Sequence, residues 1–258
     1  MSTSGSVLTA LRREILQIAF ATREGHIASS FSVLEILWVL YDKVLRHDSG
    51  NPQLETRDRL VVSKGHCALG LYAVLAEKGF FHKEELQTFC APGSRLEGHP
   101  NISIPGVEVS TGSLGNGIAM AVGIALALRL KGSTARVFCI IGDGEASEGL
   151  VWESAILAAH YKLSNFFLIV DANNSSPVKF TMADKLNAFG FSPRNVDGHN
   201  QEQLLHAFRA ADFDAPTAII AHTVKGKGCE PLEKNPEMWH HKSPASQDEL
   251  ETLMAVCK

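Results

Sequence analysis

Apolar residues recur at helical spacing along the first third of the chain, from about Val7 to Ala21, from Ser32 to Leu45 and from Cys67 to Lys78, and predict a helical region there. Another helix is expected from about Asn116 to Leu130. Its stretch Gly115 to Leu128 carries small residues on all sides with almost no polar face, so it should be buried all round, partly by a second subunit. The pattern then changes. "RVFCIIG" (Arg136 to Gly142) and "NFFLIVDA" (Asn165 to Ala172) are unbroken apolar runs rich in β-branched and aromatic residues, separated by a helical stretch from about Glu148 to Tyr161. That order predicts a βαβ unit with buried parallel strands. "TAIIAHTV" (Thr217 to Val224) reads as one more strand after a helix around Gln201 to Ala211. Between these elements, Pro92 to Gly117 is a long Gly-, Pro- and Ser-rich connection, and "KGKGCEPLEKNPEMWHHKSP" has no periodicity. Ser246 followed by Glu249 has capping-box spacing for a short last helix through about Val256. With no repeat or linker, the expectation is one α/β domain over residues 1–258, a parallel sheet with helices on both faces.

Composition narrows the classes of partner. A hydrophobic content of 45% over 258 residues can build a substantial core, and a formal net charge of −4 gives no reason to expect nucleic acid or a membrane surface. Five cysteines, odd in number and without a CxxC pair, suggest neither a disulfide framework nor a zinc site. The polar, then amphipathic N-terminus lacks the apolar core of a signal peptide, and a cytoplasmic location is expected.

The chemistry concentrates in "CIIGDGEASEG", where Gly142, Asp143 and Gly144 follow an apolar run. Ligands of open α/β sheets bind outside the carboxyl ends of the strands, and glycines there let the backbone turn sharply and approach a phosphate. A dinucleotide fingerprint is absent, because Ser147 and Met120 stand where each glycine pattern needs its third member, and there is no GxxxxGK[ST]. Asn173 follows Asp143 by thirty residues, at the end of the next expected strand. An aspartate oxygen, an asparagine amide oxygen and a turn carbonyl form a hard-oxygen set that suits Mg²⁺ beside a diphosphate. Either residue alone reads more readily as a helix cap or a turn residue. The spacing favours the metal.

"GDGEASEGLVWESAILAAHYKLSNFFLIVDANN" resembles the thiamine diphosphate motif in its transketolase form. "EGHIASSFSVLEILWVLY", "DRLVVSKGHCALGLYAVLAEKG", "GSRLEGHP", "STGSLGNGIAMAVGIALALRLKG", "VDGHN", "TVKGKG" and "WHHKSP" resemble further transketolase blocks in the same order. The likeness covers only the diphosphate-binding half, as in split transketolases.

The resemblance implies thiamine diphosphate and Mg²⁺ as cofactors, with Asp143, Asn173 and the carbonyl of Ser175 holding the metal. It implies roles near the diphosphate and the reacting carbon for His66 and His26, and contacts to substrate hydroxyls for His99 and for His240 or its neighbour His241. Histidines suit that work as proton carriers when their pKa values lie near neutral. Gly112, Ser113 and Leu114 match the loop along the cofactor rings, Gly142, Gly144 and Glu145 the diphosphate turn, and Glu148 a glutamate buried at a subunit interface. Lys225 and Lys227 are placed to approach phosphate, but a solvated loop is the preferred reading of both. The implied reaction is ketol transfer from a ketose or its phosphate to an aldose. The partner would be a C-terminal transketolase subunit supplying the pyrimidine-binding half and the activating glutamate, in an α2β2 assembly. Cys90, Ala28-Ser29-Ser30 and "NNSSPVK" depart from the common pattern and point away from an ordinary pentose phosphate substrate. The rival readings are the α-subunit of a 2-oxoacid dehydrogenase decarboxylase, a 1-deoxyxylulose-5-phosphate synthase, and a non-catalytic docking subunit.

Overall fold

The computed structural model describes residues 4–176, 178, 181–210, 212 and 214–258, so that the first three residues, Pro177 and Lys179 of "NNSSPVK", Phe180, Ala211 and Phe213 lie outside the described residues. The helices are α1 (Ser4–Thr22), α2 (Ile27–Ser32), α3 (Leu34–Val39), α4 (Ala68–Glu77), α5 (Asn116–Leu130), α6 (Gly149–His160), α7 (Met182–Phe189), α8 (Gln201–Arg209), α9 (Glu230–Lys234) and α10 (Gln247–Val256). The strands are β1 (Arg59–Val62), β2 (Val137–Gly142), β3 (Phe166–Ala172), β4 (Ser192–Asp197) and β5 (Thr217–His222).

All described strand pairings are parallel, in the order β1-β2-β3-β5-β4. β2 and β3, apolar in sequence apart from Asp171, lie at the centre, and alternate side chains enter two separate cores. Phe138, Ile140, Phe167 and Ile169 pack with α1 to α4, α8 and α10, while Val137, Cys139, Ile141, Phe166, Leu168 and Val170 pack with α5, α6 and α7. Phe138 and Phe167 stack at 4.6 Å across the two strands, and Phe208 of α8 meets Phe138 edge-on at 6.0 Å. This is the expected parallel sheet covered by helices on both faces. It carries the ends of β2 and β3 to one edge, with Gly142 in register with Asp171.

Several elements differ from the sequence pattern. The first third is not wholly helical, because Arg59–Val62 forms β1 and pairs with Val137–Ile140. Four residues are too short for apolar periodicity to separate strand from helix. The expected helix from Ser32 to Leu45 is broken into the end of α2, α3 and a π-helical turn over Leu40–Val44. β4, "SPRNVD", is a strand that the pattern does not predict, since an edge strand with a half-exposed face carries no apolar run and tolerates Pro193. α10 starts as expected: Ser246 Oγ accepts from the Glu249 amide at 3.2 Å, while the Glu249 carboxylate takes the Ala245 amide at 2.7 Å rather than that of Ser246.

Within this chain α5 is buried on one face only, as expected of a helix that one domain covers in part. Gly117, Ile118, Ala121, Val122 and Ala125 are buried, but Gly123 and Ala127 are exposed and Leu130 is 77% exposed. Its buried face comes very close to the sheet, where a Cβ at Gly117 would stand 2.6 Å from Ser63 Cα.

Candidate functional site

The carboxyl ends of β1, β2, β3 and β5 open into a cleft of about 830 Å³ lined by His26, Lys64, His66, Gly112, Leu114, Gly142, Asp143, Gly144, Glu145, Asn173, Asn174, Ser175, Ser176, Lys225, Pro236, Glu237 and His240. Most residues singled out from the sequence therefore meet in one place. Several do not line it. Ser113 is exposed on the loop before α5, His99 is exposed beside Gly112, and Glu148 is exposed at the start of α6. The chain by itself does not bury Glu148.

Asp143, Asn173 and Ser175 form a connected set. The Ser175 hydroxyl lies 3.2 Å from Asp143 Oδ1 and also bonds Asn173 Oδ1. The Asn173 amide nitrogen donates to Asp171 Oδ2 at 2.8 Å. Since an ionised carboxylate only accepts, that bond leaves the Asn173 oxygen free to accept from Ser175. Asp171 is wholly buried and also accepts from Ser32, Lys64 and Thr223. Lys64 is 1% exposed. Burial alone would lower the Lys64 pKa, and the Asp171 charge reverses this and holds it above the ordinary lysine value. Burial likewise opposes the Asp171 charge, but Lys64 and the hydroxyl donors keep its carboxyl below the ordinary aspartate value.

The glycines of "GDG" act differently from the expectation. Neither Gly142 nor Gly144 has a positive φ, and a Cβ on either would meet no atom of the chain closer than 3.9 Å. The turn does not require glycine. What their missing side chains leave free is the floor of the cleft. Glu145 is 2% exposed, and its carboxylate accepts from the Ser63 hydroxyl, from Gly115 N at 2.8 Å and from Gly142 N at 3.2 Å. Burial pushes that carboxyl above its ordinary pKa despite these donors. It joins the ends of β1 and β2 to the start of α5, so its oxygens are engaged by the protein.

The histidines cluster at the upper wall. The His26 ring centroid is 5.4 Å from His66, 5.2 Å from His240 and 4.5 Å from His241. His240 lines the cleft, with Nδ1 2.9 Å from Lys225 Nζ, and His241 packs against His26. The near-neutral pKa values expected of proton carriers are not found for the two inner rings. Burial, then the neighbouring His241, His240, His99 and Lys225, hold His26 down to about 4. Burial, then Lys64 and the other rings, hold His66 down to about 2. Both are neutral imidazoles at physiological pH, able to donate and accept hydrogen bonds. Burial followed by Lys225 also lowers His240.

Lys225 is the clearest correction. Read as part of a solvated loop, it faces the cleft, and burial together with Lys64 lowers its pKa. The sequence reading also passed over Lys64, Ser32, Asp171 and Thr223. The signal was an acid, Asp171, inside the apolar run of β3, because a buried charge requires a partner.

Residues 6–256 match the family "Transketolase, thiamine diphosphate binding domain". The chain is 35% identical over 255 residues to an apulose-4-phosphate transketolase subunit of Phocaeicola vulgatus, covering 95% of this chain and 90% of that protein. It is 41% identical over 241 residues to the transketolase of Homo sapiens, covering 90% of this chain but 38% of that one. The crystal structure of transketolase from Campylobacter jejuni superposes with a TM-score of 0.89 at 30% identity, covering 99% of this chain and 43% of that one. The chain thus spans less than half the length of these two longer transketolases. Its fold and its sequence agree, and the chain belongs to the transketolase thiamine diphosphate-binding domain family.

Proposed function

We propose that the chain is the diphosphate- and Mg²⁺-binding subunit of a split transketolase, moving a two-carbon ketol unit from a ketose or ketose phosphate to an aldose. In this reading residues 1–258 are one diphosphate-binding domain, and a partner subunit brings the pyrimidine-binding half and the activating glutamate. The observation that carries it is the convergence of Asp143, Asn173 and Ser175 beside two lysines at the strand ends. One carboxylate with neutral oxygens is a weak metal site alone but a fitting one for Mg²⁺ when a diphosphate supplies more oxygens. Among the described residues no cluster of three His, Cys, Asp or Glu offers a rival metal centre.

Thiamine diphosphate, when bound, supplies the carbon acid chemistry of ketol transfer. Asp143, Asn173 and the Ser175 carbonyl hold the metal. Gly142 and Gly144 leave room for the diphosphate, Lys64 and Lys225 offset its charge, and Gly112, Ser113 and Leu114 border the rings. Neutral His26 and His66, with His240 and His99, would hydrogen-bond the sugar oxygens. The partner is supported by the Phocaeicola vulgatus relative, which is itself named as one subunit of its enzyme and also makes a specialised sugar phosphate the first class to test. Glu148 stands exposed at the start of α6, beside the exposed faces of α5 and α6, where a second subunit would bury it. Among the described residues no helix is long and apolar enough to cross a membrane, and the five free thiols suit the cytoplasm.

Calorimetry on the co-expressed pair tests the reading. Wild type binds thiamine diphosphate in the presence of Mg²⁺, whereas Asp143→Ala loses a charged ligand and binds at least about 100-fold more weakly with its melting temperature kept. Equal affinity would remove Asp143 from the metal site. Tight binding by the purified chain alone would count against a partner-completed site.

A further inference from the structure

The turn from β4 into α8, Val196-Asp197-Gly198-His199-Asn200, does not line the cleft. It is closely fitted: a Cβ at Gly198 would collide with Thr223, and Asn200 Oδ1 caps α8 by accepting from Glu202 N and Gln203 N at 3.1 Å. His199 Nε2 accepts the Val224 amide at 2.8 Å, and its Nδ1 is 3.0 Å from Glu35 Oε2. A ring that accepts at Nε2 carries its proton on Nδ1 and donates it to Glu35. Glu35 Oε1 in turn accepts from Arg12 Nη2, and Arg12 Nε donates to the Lys227 carbonyl at 2.8 Å.

The network is buried, with Arg12 at 4%, Glu35 at 5% and the His199 side chain at 10% exposure. It holds one loop at two points, Val224 N–H and Lys227 C=O, on either side of Lys225. The loop is fixed again between them, where Gly226 N donates to Ala28 O at 3.0 Å. The residues it presents both serve the cleft: Thr223 bonds Asp171, and Lys225 Nζ stands 2.9 Å from His240 Nδ1. A buried ion pair is an expensive brace that apolar packing can replace, and what it adds here is fixed geometry at a lysine.

We propose that His199, backed by Glu35 and Arg12, is a positioning residue that sets the Thr223–Gly228 loop so that Lys225 meets the diphosphate. The inference rests on the reading of the cleft as a diphosphate site. His199→Asn keeps a donor near the Nδ1 position and removes the acceptor for Val224, whereas His199→Gln places an acceptor near Nε2. In hydrogen-exchange mass spectrometry of the co-expressed pair, the peptide holding Val224 exchanges faster in the Asn variant and near the wild-type rate in the Gln variant. By calorimetry, thiamine diphosphate with Mg²⁺ binds about tenfold more weakly to the Asn variant, the loss of about one charge-assisted contact, and the Gln variant recovers most of it. In a Lys225→Met background the Asn substitution adds nothing further, which a merely structural brace would not produce. Wild-type affinity in the Asn variant, or an undiminished loss in the Lys225→Met background, overturns the inference alone. A wild-type pair that binds no thiamine diphosphate overturns the reading of the cleft and the inference with it.

Discussion

Lys64 and Asp171 form a buried ion pair whose lysine bears on the charge of His66 and Lys225. Both are almost fully buried, and each holds the other charged. The Lys64 charge lies next to His66 and, with burial, keeps that ring neutral. This gives a pH prediction with a definite sign. His26 and His66 bind protons less readily in the folded chain than in the unfolded one, whose histidines titrate near 6.5. Above pH 6.5 they are neutral in both states and contribute no pH dependence. Between about 6.5 and about 4 the unfolded chain holds more protons, so stability falls as pH falls. Each ring contributes at most about 1.4 kcal/mol per pH unit, with the share of the partly exposed His26 reduced by solvent. Urea midpoints should decline from pH 7 to pH 5, less steeply in His66→Asn. A flat profile in wild type would contradict the depressed values.

Secondary-structure elements meet the cleft mainly through their ends. β1, β2 and α5 are joined there by Glu145, whose carboxylate accepts from Ser63, Gly115 and Gly142. That joint needs α5 to lie nearly against the end of β1, which the absent side chain of Gly117 permits. Gly117→Ala puts a methyl 2.6 Å from Ser63 Cα and Cβ, so backbone has to move. The expected cost is about 1–3 kcal/mol, the usual range for overpacking, read as a lowered urea midpoint. Because Ser63 is also a donor to Glu145, cofactor affinity should fall with stability. An unchanged midpoint would mean that the helix shifts freely on the sheet. Gly123, on the outward face of the same helix, has nothing within 4 Å of its Cβ position.

At the scale of the whole molecule, one side of the chain remains apolar. Leu130 of α5 is 77% exposed, and Ile156 and Leu157 of the neighbouring α6 are 52% and 44% exposed, with Tyr161 at 39%. Large apolar side chains gathered on adjoining helices mark an interaction face. Light scattering of the co-expressed pair should give a mass of two copies of this chain and two of its partner, and Leu130→Glu with Ile156→Glu should halve it. A fully active one-to-one pair would show the face to be dispensable. Those parts of the molecule whose signal is local were legible before folding. The apolar runs of β2 and β3 announce buried parallel strands, and the thirty-residue interval from Asp143 to Asn173 fixes two strand ends side by side. Ser246 and Glu249 mark a helix start because capping acts over a few residues. Other features depend on neighbours distant along the chain and exist only once it has folded. β1 and β4 are strands because β2 and β5 pair with them, α5 keeps one bare face because this chain covers only the other, and Lys225 belongs to the cleft because residues from α1, α3 and the β4–α8 turn hold its loop there. Charge state follows the same rule. A histidine in a sequence is a group that titrates near neutral, and only the burial and the lysine that folding brings to His66 take it out of that range.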